Sequence, residues 1–166
     1  MKNQRTVKVD AKGDHEIIIT RDFNAPRTLV FDAMTKPELV KRWLGVFAGW
    51  TLPVCEIDLR VGGSYRYQWH GPNGERMGMR GVYREIVRPE RVVSTEQFDE
   101  SWYPGGAVGT MVLTERGGRT TVTTTVLYDS REARDAVMKS PMETGLSAGY
   151  DKLDDVLAAV ATEGVR

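Results

Sequence analysis

Glu56 and Asp58 are the side chains in this sequence that most resemble an acid/base pair. Residues two apart on a strand face the same side, and paired carboxylates can act as general acid and general base. Asp58, however, precedes the turn at residues 62–63, and Arg60 is near enough to neutralise it. We therefore interpret the pair as part of a turn, assign no catalytic residue, and leave open whether the chain is an enzyme.

The histidines and the cysteine do not form a recognisable metal or nucleophile site. His15 and His70 are far apart, and Cys55 has no second thiol. A nucleophilic Cys55 would need His70 beside it, yet the strand pattern puts His70 on the face opposite to the neighbouring aromatic residues. The sequence thus predicts a buried or half-buried spectator thiol, no metal and no cofactor.

Aromatic and methionine side chains offer a different chemistry, which is binding. Residues 64–70 alternate so that Tyr65, Tyr67 and Trp69 share one face, and Met79 and Tyr83 share a face of the next strand. We expect these faces to point inward, where aromatic bodies supply apolar surface and hydroxyl groups select the polar end of a ligand. Ordinary core packing is the alternative. The candidate lining residues are Trp43, Trp50, Tyr65, Tyr67, Trp69, Met79, Tyr83, Met111, Leu146 and Tyr150.

Trp43 and Trp50 need a separate interpretation. They flank two short helices that the pattern predicts after a first strand at residues 15–23: one over residues 26–34, and one opened by the Thr35-x-x-Glu38 capping pattern. The two indoles could form a gate to the hollow. Capping of the core edge explains them equally well.

Short β-branched and aromatic segments separated by turns predict an antiparallel meander. Its strands span residues 52–59, 64–70, 76–86, 92–98, 110–115 and 120–128, with an irregular loop over residues 99–109. With the first strand this gives about seven strands. No crossover helix intervenes, so the sheet is antiparallel.

A long C-terminal helix completes the pattern. Ser140, Pro141 and Glu143 form a helix-start signature. Apolar residues then recur every three or four positions from Met142 to Val160, which predicts one buried stripe. A curved sheet wrapped around one long helix leaves an apolar hollow, so the sequence favours a container for a small molecule.

Composition limits the remaining possibilities. The 166 residues fit one domain, which we place at residues 15–163 after a flexible lead-in at residues 1–14. Lysine plus arginine and aspartate plus glutamate each number 23 and are scattered, so a nucleic-acid partner is not expected. The apolar stretch at residues 156–161 is too short for membrane insertion, and the polar start of the chain predicts a cytoplasmic protein.

Several segments together resemble a known family. They are KPEL at residues 36–39 leading to Trp43, DLRVGGSY at residues 58–65, GVYREI at residues 81–86 and PERVV at residues 89–93. These segments are similar to bacterial single-domain relatives of the activator of the ninety-kilodalton heat-shock chaperone ATPase, within the START-like superfamily. The resemblance covers roughly residues 17–161 and implies the helix-grip fold, an α+β class that includes birch-pollen-allergen-type proteins and polyketide cyclases.

The resemblance leaves three functional hypotheses. Binding of a small hydrophobic, lipid-like or aromatic molecule is the one we favour. A cyclase or hydrolase using Tyr67, Tyr83 or Tyr150 as hydroxyl donor is the second. The third is a protein-binding module, either a homodimer or a chaperone accessory, that uses the loop at residues 99–104. Trp102 and Tyr103 in this polar loop indicate either an anchor on a partner or a lid over the cavity. Chaperone stimulation is disfavoured, because the activator uses an additional N-terminal domain and about fourteen residues precede the first predicted strand here.

Overall fold

A computed structural model describes residues 6–163 as one eight-stranded antiparallel sheet with four helices. The elements are β1 (Lys8–Lys12), β2 (Glu16–Phe23), α1 (Arg27–Thr35), α2 (Pro37–Val40), β3 (Thr51–Ile57), β4 (Ser64–His70), β5 (Arg76–Val87), β6 (Arg91–Phe98), β7 (Ala107–Arg116), β8 (Arg119–Tyr128), α3 (Arg131–Lys139) and α4 (Met142–Glu163). The strand order is β1-β2-β8-β7-β6-β5-β4-β3. The predicted α+β helix-grip class is confirmed.

One face of the sheet carries the core. On β2 every second residue from Ile17 to Phe23 is buried, and on β4 the buried residues are Tyr65, Tyr67 and Trp69. This is the alternation that a half-buried strand requires. The inward orientation predicted for the aromatic residues of β4 is therefore confirmed.

Helix α4 packs against this face through its apolar stripe. Tyr150, Leu153 and Leu157 are buried. The ring of Tyr150 meets Phe23 of β2 edge-on at 5.4 Å between centroids and lies 5.9 Å from the ring of Trp43. The long helix is thus held between the sheet and the segment that follows α2.

A buried arginine fixes α4 to β2. Arg21 is 2% exposed, and its two terminal nitrogens lie 3.1 and 2.8 Å from the two carboxylate oxygens of Asp154. A further contact of 3.0 Å joins Arg21 to Asp151. Two parallel charge-assisted hydrogen bonds set both distance and orientation, so this cluster determines where the helix lies on the sheet.

The predicted lead-in is wrong for residues 8–12, which form β1. This strand pairs residue by residue with β2, from Lys8 opposite Thr20 to Lys12 opposite Glu16. The turn that joins the two strands contains Gly13, which has a φ of 55°. It is an edge strand that is mostly exposed, so it has no apolar alternation for a sequence pattern to detect. The sheet consequently has eight strands rather than seven, and residues 1–5 lie outside the described residues.

The predicted N-terminal cap of the long helix, Ser140, is wrong. Ser140 ends the additional helix α3, and its hydroxyl donates to the carbonyl of Val137. Helix α3 is itself capped by Ser130, whose hydroxyl accepts from the amide of Ala133 at 3.0 Å. The sequence analysis assigned no element here, because α3 is rich in charged residues and has a narrow apolar stripe.

The predicted capping role of Thr35 is also wrong. Its hydroxyl donates back to the carbonyl of Phe31 at 2.7 Å. The N-cap position before α2 is occupied by Lys36, which makes no side-chain cap. A threonine inside the last turn of a helix commonly bonds the carbonyl four residues earlier. None of the helices within residues 6–163 is long and apolar enough to span a bilayer.

Candidate functional site

A pocket of about 200 Å³ lies between the sheet and the segments α1, α2 and α4. We call it the sheet–helix pocket. Side chains from β4 to β8 face it from one side, and helical residues close the other. Its lining consists of Met34, Thr35, Val40, Trp43, Leu44, Tyr65, Tyr67, Met79, Tyr83, Val92, Ser94, Glu96, Gly109, Met111, Thr124 and Tyr150.

Seven of the ten candidate residues from the sequence lie around this pocket. They are Trp43, Tyr65, Tyr67, Met79, Tyr83, Met111 and Tyr150. Three of the rings form a contiguous wall, because the centroid of Tyr65 lies 4.9 Å from that of Tyr67 and 5.6 Å from that of Tyr83. Strand parity brings these side chains together, and whether they bind a ligand is a separate question.

The other three candidates lie elsewhere. The indole of Trp69 donates to the carbonyl of Leu44 at 2.9 Å and packs beneath Gly45, where a Cβ atom would come within 2.4 Å of the indole nitrogen. Trp50 and Leu146 are half-buried at the edge of the core and do not line the sheet–helix pocket. Strand or helix parity alone could not separate these positions from the lining ones.

Trp43 is held in place by its own hydrogen bond. Its indole nitrogen donates to the carbonyl of Ala33 at 2.9 Å, and the side chain is 6% exposed. The bond fixes one face of the ring toward the pocket. Trp50 does not join it there, so the pair does not form the predicted gate as a unit.

Glu96 is the charged residue among the lining residues that the sequence analysis missed. On β6 it shares strand parity with Val92 and Ser94, which also line the pocket. Across the sheet, Gly109 provides the space: a Cβ atom there would lie 2.7 Å from Oε2 of Glu96. The signal that could have revealed it is the parity of Val92, Ser94 and Glu96, which places a carboxylate on the inner face of β6.

The carboxylate of Glu96 has no protein partner in the structure. Among residues 6–163, no hydrogen bond or ion pair joins it to another side chain or to the backbone. Glu96 is half-buried, and its partial removal from water by the surrounding protein raises the pKa of Glu96 to about 7. Desolvation disfavours the charged form of an acid, so the group changes charge near neutral pH.

Five tyrosines surround this carboxylate from β4, β8, α4 and the loop before β7. Burial raises the pKa of each of their hydroxyls, and the negative charge of Glu96 adds to the rise. The pKa of Tyr103 and that of Tyr150 each reach about 12. The tyrosines are Tyr65, Tyr67, Tyr103, Tyr128 and Tyr150. All five therefore stay neutral at physiological pH.

The tyrosine hydroxyls differ in whether they make a hydrogen bond to protein. That of Tyr65 donates to the carbonyl of Thr95 at 2.8 Å. Within the described part of the chain, the hydroxyls of Tyr67, Tyr83 and Tyr150 make no hydrogen bond to protein. These three hydroxyls and the carboxylate of Glu96 therefore give the lining of the pocket unused hydrogen-bonding capacity.

The other reactive residues, Asp58, Cys55 and His70, do not line the sheet–helix pocket. Asp58 pairs with Arg60 at 2.9 Å on the surface. Cys55 is half-buried, burial raises its pKa to about 11, and it lies opposite Tyr67, whereas His70 lies opposite Thr51. Residues 6–163 contain no group of three or more histidine, cysteine, aspartate or glutamate side chains that could hold a metal ion.

The sheet order and the long C-terminal helix define a protein of the START-like superfamily with a helix-grip fold. The family model described as Activator of Hsp90 ATPase homolog 1-like protein matches residues 24–158. The chain therefore belongs to that family. No curated protein matches the sequence.

Solved structures support the same assignment. A protein from Rhodobacter sphaeroides is 31% identical, with a TM-score of 0.87 and coverage of 93% of this chain and 99% of that chain. A protein from Mycobacterium smegmatis is 23% identical, with a TM-score of 0.81 and coverage of 91% and 96%. An HSP90 activator from Plasmodium falciparum is 19% identical, with a TM-score of 0.55 and coverage of 75% and 85%, so it shares the fold alone.

Proposed function

We propose that this chain binds a small, predominantly apolar or aromatic molecule in the sheet–helix pocket. The observation that carries the proposal is a set of polar groups without a protein partner inside an aromatic wall: the carboxylate of Glu96 and the hydroxyls of Tyr67, Tyr83 and Tyr150. Desolvated polar groups cost free energy when they are unpaired. A ligand that fills the apolar space and satisfies them would offset that cost.

The volume restricts the size of the ligand. About 200 Å³ is below the range of roughly 300–1,000 Å³ that drug-sized ligands occupy. The pocket therefore suits a compound with a single ring, or a short aliphatic chain with one polar end. A full-length lipid would need the helices to move away from the sheet.

Two matched substitutions on β8 test the proposal. Thr124 lines the pocket, whereas its neighbour Thr123 points to the opposite face of the sheet and is not among the lining residues. Thr124→Leu should fill the space and weaken binding of a single-ring compound such as benzyl alcohol by about tenfold or more, and Thr123→Leu should leave it unchanged. Titration calorimetry measures the affinity of both variants, with tryptophan fluorescence as a second readout.

The same proteins, gently purified, should be examined by native mass spectrometry for a molecule that co-purifies. The proposal requires either such a molecule or measurable binding from a panel of single-ring compounds. It fails if neither is found, or if the two leucine variants bind equally well.

Assistance to a chaperone ATPase is the second candidate. It is supported by the family to which the chain belongs and by an exposed tryptophan. Trp102 is 49% exposed, and its ring centroid lies 4.9 Å from that of the half-buried Phe98 and 5.2 Å from that of the buried Tyr103. An exposed tryptophan is a frequent anchor at protein interfaces. Addition of the wild-type chain to an Hsp90-type chaperone should raise its ATPase rate, and Trp102→Ala should remove the effect. Equal rates with and without the chain would exclude this role.

A further inference from the structure

We propose that Glu96 makes the sheet–helix pocket selective for ligands with a protonated amine, with the ammonium group at the carboxylate and the apolar part against the aromatic wall. The inference rests on the proposed function and adds the chemical class of the ligand. It follows from three features of the pocket, namely the charge of its lining, the geometry of its rings and the space beside Gly109.

The first feature is that the protein supplies no cation to Glu96. Among the described residues, no lysine or arginine lines the pocket. Arg21 acts on the pocket residue Tyr150 electrostatically, but its guanidinium is bound to Asp151 and Asp154. A partly desolvated carboxylate is stabilised by a cation with which it shares hydrogen bonds, and at the lining of this pocket such a cation can come only from a ligand or from solvent.

The second feature is the nature of the wall. Trp43, Tyr65, Tyr67, Tyr83 and Tyr150 all line the pocket. Aromatic faces carry negative charge density and attract an ammonium group, most strongly where water is excluded. The same faces and the carboxylate of Glu96 both repel an anion. Binding of a carboxylate ligand of equal size is therefore opposed by both.

The third feature is the room at the carboxylate. Gly109 has no side chain, and a methyl group in that place would come within 2.7 Å of Oε2 of Glu96. The contact is with the far end of a flexible side chain. Gly109→Ala should therefore displace the carboxylate and leave the backbone of β7 in place, which gives a variant that retains the charge but alters its position.

The affinity of the pocket for a protonated amine should rise with pH. The pKa of Glu96 is about 7, so roughly a tenth of the carboxylates are ionised at about pH 6 and roughly nine tenths at about pH 8. The groups that face it are the hydroxyls of the tyrosines of β4, β8, α4 and the loop before β7, and burial keeps these neutral over that range. An amine that stays protonated should bind about tenfold more tightly at the higher pH.

The experiment compares benzylamine, benzyl alcohol and benzoate, which share one ring, by titration calorimetry at both pH values. We expect the wild type at about pH 8 to bind the amine about tenfold or more tightly than the alcohol, and benzoate most weakly. Glu96→Gln should abolish the preference and its pH dependence. Glu56→Gln, which alters an exposed glutamate of β3, should change neither.

Gly109→Ala provides the second variant and should reduce the preference for the amine without loss of the alcohol. Unfolding temperatures confirm that each variant is folded. Equal binding of amine and alcohol by the wild type, or a preference that survives Glu96→Gln, would overturn the inference and leave the proposed function standing. Failure of all three compounds to bind the wild type would overturn the inference, and absence of any ligand from the wider panel would remove the proposed function as well.

Discussion

Two inward-facing charged groups, the buried Arg21 on β2 and the half-buried Glu96 on β6, have opposite surroundings. Arg21 is 2% exposed and is held by two carboxylates of α4, at 2.8 Å from Asp154 and 3.0 Å from Asp151. Glu96 faces the sheet–helix pocket, and in the part of the chain that the structure describes no side chain or backbone group bonds it. One charge is satisfied by the fold, and the other is not.

This difference separates a structural role from a functional one. A buried charge with partners repays its desolvation within the protein, so its removal should lower stability. A partly desolvated charge without a partner is a cost to the folded state that the fold itself does not offset. Groups of the second kind concentrate at sites that bind ligands or perform chemistry, which is why Glu96 is the centre of the proposed site.

Substitution of Arg21 should produce the largest loss of stability. Arg21→Met keeps much of the apolar stem but leaves Asp154, which is 21% exposed, without its bidentate partner. We expect the free energy of unfolding to fall by about 3 kcal/mol, as measured by urea denaturation. Arg60→Met, at an exposed pair with Asp58, is the control and should cost less than about 1 kcal/mol. Similar losses of unfolding free energy at Arg21 and Arg60 would contradict the structural role given to Arg21.

Glu96→Gln should change the free energy of unfolding in the opposite direction to Arg21→Met. The folded protein binds the Glu96 proton more tightly than the unfolded chain does, since its pKa is raised from 4.5 to about 7. The free energy of unfolding therefore falls as pH rises through this interval, and the loss is complete above about pH 7. The raised pKa corresponds to at most about 3 kcal/mol, and water in the pocket reduces it.

The difference in unfolding free energy between Glu96→Gln and the wild type, followed from about pH 4.5 to about pH 8, isolates this one group. We expect the variant to gain stability relative to the wild type as pH rises. A difference that stays flat over the interval would mean that Glu96 is ionised in both states, and would remove the distinction from Arg21.

Two tyrosine hydroxyls sharpen the same comparison with a smaller effect. Tyr65→Phe removes a hydroxyl that donates to the carbonyl of Thr95, and should cost about 1 kcal/mol. Tyr67→Phe removes a hydroxyl without a protein partner among the described residues and should be close to neutral. Thermal and urea unfolding of the two variants measure these two losses of stability. The reverse order would show that the hydroxyl of Tyr67 has a structural role.

The candidate site could be predicted from the sequence in part. Parity on β4 placed Tyr65 and Tyr67 on the inner face, and seven of the ten proposed residues lie at the pocket. Trp69 has the same parity but is covered by the segment around Gly45, because a loop distant in sequence crosses that end of the strand. Glu96 was missed because the alternation on β6 is less regular.

The sequence by itself determined the local elements. Alternation and turn residues identified the meander, and the apolar stripe identified α4, since each signal has the period of the element that produces it. Edge strand β1 has weak periodicity and helix α3 is short and rich in charged residues, so only pairing with β2 and packing in the folded chain established them.

The tertiary structure alone decided which polar groups remain without partners. Arg21 and Asp154 are 133 positions apart, and Glu96 approaches tyrosines from β4, β8 and α4. Whether a charge is satisfied depends on which distant side chains reach it, and no local period contains that information. For this reason the sequence predicted an aromatic hollow, and only the folded structure revealed an unpaired carboxylate within it.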